Sequence, residues 1–120
     1  MERQRLATAL RGRDPDRVWR AASWLQMVDE FRLSDALSVC VFLAEHEPGG
    51  DRGSRARARL VARLALELRI GLDHLDQLHT WVEILPDPVA IAGLGPLCDE
   101  VDRTDALARR SASDGASAPR

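Results

Sequence analysis

Few side chains in this chain are equipped for chemistry: three histidines, two cysteines, and carboxylates and arginines spread along its length. Asp76, His79 and Glu83 fall at i, i+3 and i+7, one face of a helix. An acid-x-x-His pair can ligate a metal, but carboxylate-bridged di-metal bundles need two such pairs and further Glu residues on facing helices. This sequence offers one pair, and His74 lies off that face. His46 stands alone at a helix end, where a positive charge is favourable anyway. These histidines are expected on solvated faces. Cys40 sits in the most apolar segment, which shields a thiol and raises its pKa, and Cys98 is also within an apolar stretch. No Ser or Cys lies in a tight turn beside a base. The expectation is a non-enzymatic chain with no catalytic residues, no metal and no cofactor.

Glycine-rich "EPGGDRGSRARARL" (47–60) invites comparison with a phosphate cradle. A P-loop needs G-x-x-x-x-G-K-[ST] after a strand, with Lys reaching the outer phosphates. Here Lys is missing, no strand precedes, and Asp51 would repel a phosphate. The segment is expected to be a flexible connector between helices.

The arginines that follow are more informative. Arg55, Arg59 and Arg63 are four apart and share one helical stripe, and Leu66 projects among them. Arg55 and Arg57 stand in the first turn, where the helix dipole is already positive, so that end attracts anions. A leucine among arginines suits a protein surface better than a phosphate backbone. On the preceding helical segment Trp19 lies opposite the apolar arc, beside Ser23, Gln26 and Glu30, where a Trp is a common binding hot spot. Trp24 and Trp81 fall within apolar arcs and are expected in the core. A helix-turn-helix over 62–85 is disfavoured, because its second helix would carry Asp73, Asp76 and Glu83 to DNA without an Arg.

Composition bounds the rest. The net charge is −2, which excludes a general electrostatic nucleic-acid binder. All 17 basic residues are Arg, and Asn and Tyr are absent, a usage that fits a GC-rich bacterial genome rather than selection for phosphate binding. Segment 52–69 holds six Arg and one Glu, whereas 71–105 holds eight acids and one Arg. Such halves attract each other within or between chains. Two cysteines make no disulfide framework and read as reduced residues. No apolar run reaches the roughly 18 residues of a membrane span, and the N-terminus lacks a signal's apolar region. A cytoplasmic location is expected.

These sites need helices to hold them. Strand alternation is absent, and helix signals recur. Helices are expected over 3–12, closed by Gly12; 14–32, capped by Asp14 with Pro15 first; 35–47, capped by Ser34; 55–70, capped by Ser54 and stopped by Gly71; 74–85, capped by Asp73 and halted by Pro86; and from Asp87-Pro88, broken at Gly95-Pro96 before 97–110. The segment around 35–46 is apolar nearly all round and belongs at the centre. The predicted fold is all-α: a compact bundle of five to six short helices around that central helix. One domain is expected over 1–110, with a disordered C-terminal tail over 111–120. The predicted function is a helical protein–protein interaction, regulatory or adaptor module. Its contact residues would be Arg55, Arg59, Arg63, Leu66 and Trp19, meeting an acidic protein surface or a second copy. The alternative is a small nucleic-acid-associated regulator using the Arg-rich helix 54–69.

Overall fold

Proline and aspartate set the clearest helix boundaries. The Asp14 carboxylate accepts the Asp16 amide at 3.1 Å, with Pro15 at the first helical position. Asp87 does the same for Val89 at 2.8 Å, again with proline next in sequence. The computed structural model of the chain describes residues 2–27 and 31–117. These residues form helices α1 (Glu2–Gly12), α2 (Pro15–Met27), α3 (Leu33–His46), α4 (Asp51–Glu67), α5 (Leu72–Glu83) and α6 (Pro88–Ser117), with no strand among them. The peptide Leu85–Pro86 is cis.

α3 is the shared wall of two apolar cores. On one side Val39, Phe42 and Leu43 meet Leu6 and Ala9 of α1 and Val18, Ala22 and Leu25 of α2. On the other, Leu33, Ala36, Leu37 and Cys40 meet Leu60, Val61 and Leu64 of α4, Leu78 and Val82 of α5, and Leu94, Cys98 and Val101 of α6. This is the central role expected for 35–46. Among the described residues no polar or charged side chain is buried. The two cores therefore rest on hydrophobic burial, at about 1.5–3 kcal/mol for each large side chain.

Several boundaries differ from those expected. The connector at 47–50 is a tight turn, in which the Gly50 amide donates to the Glu47 carbonyl at 3.0 Å and Gly49 takes φ +77°. Pro48 and Gly49 hold the central positions, the arrangement of a type II turn. α4 then begins at Asp51, so Gly50 and not Ser54 is its N-cap, and Arg52 becomes a helical residue. At the other end of α4 the left-handed residue is Arg69 (φ 51°), and the Ile70 amide closes onto the Ala65 carbonyl at 3.1 Å. Gly71 instead serves as N-cap of α5, a role expected of Asp73.

α3 begins one residue before its expected cap, Ser34, and its N-cap residue Arg32 makes no side-chain cap. The cap comes from α6. The Asp102 carboxylate accepts the amides of Leu33 at 2.8 Å and Ser34 at 3.0 Å.

α6 is not short, and Gly95-Pro96 does not break it. Pro96 removes the bond to the carbonyl of Ala92, but Ala92 is exposed and water can satisfy it. Leu94, Cys98 and Val101 are all buried, which holds the helix across the proline. Gly93 lets α6 approach α5, since a Cβ there would lie 2.7 Å from the Trp81 ring. α6 is described through Ser117, within the segment 111–120 expected as the tail. Residues 118–120 lie outside the described residues.

Candidate functional site

Side-chain contacts show that α2 and α4 run side by side in the same direction over α3. Arg52 donates to Asp16 at 2.9 Å, Arg59 donates to Gln26 at 2.6 Å, and Arg63 donates to the Phe31 carbonyl at 2.9 Å. A groove lies between the two helices. Its floor is Ala36 and Val39 of α3 with Leu60. Its walls are Trp19, Ala22, Ser23 and Gln26 on one side and Ala56, Arg59 and Arg63 on the other, with Phe31 also lining it. The free space is about 40 Å³. Small-molecule pockets run to roughly 300–1,000 Å³, so this furrow suits an inserted side chain rather than a metabolite.

Arg52 fixes the upper end. It grips Glu47 through two bonds, Nε at 3.1 Å and a terminal nitrogen at 2.6 Å, while also holding Asp16. Its guanidinium carbon sits 6.0 Å from the centre of the Trp19 ring, within cation–π range. One arginine thus ties the 47–50 turn and the start of α2 to the groove wall. Sequence reasoning missed it because it placed residue 52 in a flexible loop.

Of the five expected contact residues, three converge on the groove: Trp19, Arg59 and Arg63. Arg55 is exposed one turn before Arg59. Leu66 is 78% exposed but does not line the groove, because it stands on the outer side of α4. Arg63 is only partly exposed and donates to the Phe31 carbonyl.

Trp24 differs from expectation. Trp19 is half-buried against the α1–α2–α3 core, whereas Trp24 is 46% exposed. The buried line of α2 is Val18, Ala22 and Leu25. Trp19 and Trp24 sit about 100° and 120° to either side of that line, so both are flank residues. Groove residues from α4 adjoin Trp19's flank. Trp24's flank faces a wider depression of about 750 Å³ between α1 and α2. Arginines there are partly spent: Arg17 pairs with Asp14 at 3.5 Å and Arg20 donates to the Asp16 carbonyl. Trp81 is partly buried against the second core, over Gly93.

Asp76, His79 and Glu83 are exposed on α5, and the described residues contain no group of three or more His, Cys, Asp or Glu placed to hold a metal. His46 stacks on Phe42 with ring centres 4.0 Å apart. Cys40 and Cys98 are free and buried, and burial pushes both thiols up to about 12. At Cys40 the nearby Arg57 opposes that shift in part. Among the described residues no helix is long and apolar enough to cross a membrane.

No protein-family model matches the chain, and no curated protein or solved structure matches it significantly.

Proposed function

We propose that the chain is a non-enzymatic interaction module whose α2–α4 groove accepts an acidic, amphipathic segment of a protein partner. One observation carries this: a narrow apolar floor (Ala36, Val39, Leu60) edged by guanidinium groups, with Arg59 steadied by Gln26. An inserted leucine or phenylalanine would bury apolar surface at about 25 cal/mol per Å². Carboxylates one turn away would meet Arg55 and Arg59. Each exposed ion pair adds only about 0.2–1 kcal/mol, so charge selects the partner and the apolar insert supplies the affinity. A regulatory or adaptor role in a reducing bacterial cytoplasm suits the two buried thiols.

Selection from a random-peptide display library tests this. Wild type should enrich peptides carrying Leu, Ile or Phe at helical spacing together with Asp or Glu. The Arg55→Glu/Arg59→Glu variant should lose those peptides while keeping its helical circular dichroism. Enriched peptides without acids, or equal capture by both proteins, would overturn the docking role. Duplex DNA is the contrasting probe: tight binding whose log K falls by about 0.9 per phosphate contacted per log unit of salt would favour a nucleic-acid role instead.

A further inference from the structure

We infer that the acidic segment accepted by the groove is helix α5 of a second copy of this chain, an inference that rests on the docking role proposed above. α5 packs inward through Leu78 and Val82. Its outer face carries Asp76, His79 and Glu83, all exposed, with Leu72 82% exposed at one end. Those four residues fall at i, i+4, i+7 and i+11, a single helical stripe. An apolar residue followed by two acids, Asp76 and Glu83, is the complement of a floor edged by arginines.

Charge and length both favour α5 over the other acidic helix. α5 contains no arginine, whereas α6 interleaves Asp99 and Glu100 with Arg103 and commits Asp102 to the cap of α3. Leu72 to Glu83 spans eleven steps, about 16 Å, and so does Arg52 to Arg63 along the groove. Within one chain the two surfaces do not meet: no α5 residue lines the groove. Leu72 is also the most exposed of the large apolar side chains described, and docking would bury it.

Sedimentation equilibrium on the full chain tests this, at roughly 10–500 μM, where weak interfaces become populated. Wild type should self-associate, less so as salt rises from about 0.05 to 0.5 M. Arg55→Glu/Arg59→Glu and Asp76→Arg/Glu83→Arg should each weaken association at least about tenfold. An equimolar mixture should recover a heterodimer, because one variant keeps the acidic stripe and the other keeps the groove. A wild type that stays monomeric across that range overturns the inference, as does a mixture that fails to recover. Peptide selection separates the two levels. Acidic peptides captured by a monomeric wild type leave the docking groove standing and remove the second copy. Self-association indifferent to both reversals, with no acidic peptide captured, removes both.

Discussion

The carboxylate of Asp102 accepts the amide of Leu33 at 2.8 Å, a contact between residues 69 apart in the chain. Ser34 donates to the other carboxylate oxygen at 3.0 Å, so one side chain of α6 satisfies two orphan donors at the start of the central helix. The cap is also a tertiary tie, because α3 cannot be capped in this way until α6 has docked.

Asp102→Ala should therefore destabilise the fold by about 1–2 kcal/mol, the upper part of the range for losing an N-cap. Asp102→Asn keeps one acceptor and should recover part of the loss. Urea unfolding followed at 222 nm measures both. An unchanged midpoint in the alanine variant would show that the two amides are satisfied without the carboxylate.

Gly93→Ala places a methyl group 2.7 Å from the Trp81 ring, closer than packed atoms tolerate. Overpacking of that kind costs about 1–3 kcal/mol, so the thermal midpoint should fall. Adding Trp81→Leu removes the obstacle. The double variant should be less destabilised than the two single changes added together.

Alkaline pH isolates the two buried thiols. The chain has neither lysine nor tyrosine, so Cys40 and Cys98 are the side chains that titrate between about pH 9 and 12. Burial raises both to about 12 in the folded state, above the ordinary 9.0. The folded state keeps the protons that the unfolded state releases. Their stabilising contribution is complete below pH 9 and falls as pH rises toward 12, by about 1.4 kcal/mol per pH unit for each thiol. Cys40→Ala/Cys98→Ala should flatten this alkaline limb, whatever its absolute stability. Iodoacetamide should modify neither thiol of the native protein at pH 8 and both in urea.

Arg69 holds a left-handed backbone conformation at φ 51°, closing α4 where glycine is the usual residue. Arg69→Gly should relieve a strain of about 1 kcal/mol and raise the unfolding midpoint. A lowered midpoint would mean that the arginine side chain contributes more than its backbone costs.

Much of the helical plan is legible in the sequence, because Asp14-Pro15 and Asp87-Pro88 act locally and the apolar run 35–46 leaves α3 only a narrow solvated stripe at Ser38 and Glu45. What the sequence hides is set by neighbours. Pro96 looks like a stop, yet the buried Leu94, Cys98 and Val101 carry α6 through it. Gly49-Gly50 looks like a flexible linker, yet a single tight turn over 47–50 suffices and α4 starts at Asp51. A helical wheel gives each tryptophan an angle but not the width of surface its neighbours cover, which is why Trp24, expected in the core, is 46% exposed. Arg63 looks solvated until Phe31 supplies a carbonyl from beyond α2. Asp102 gives no local signal at all, since its partners lie in another part of the chain.

The groove's walls belong to helices that are not consecutive: α2 ends at Met27, and α4 runs from Asp51 to Glu67. A chain still emerging from the ribosome therefore has no groove until its fourth helix has cleared the exit tunnel. Before that point Trp19 has only one wall beside it and Arg59 has not emerged, so the docking proposed for the groove must await a protein more than half made.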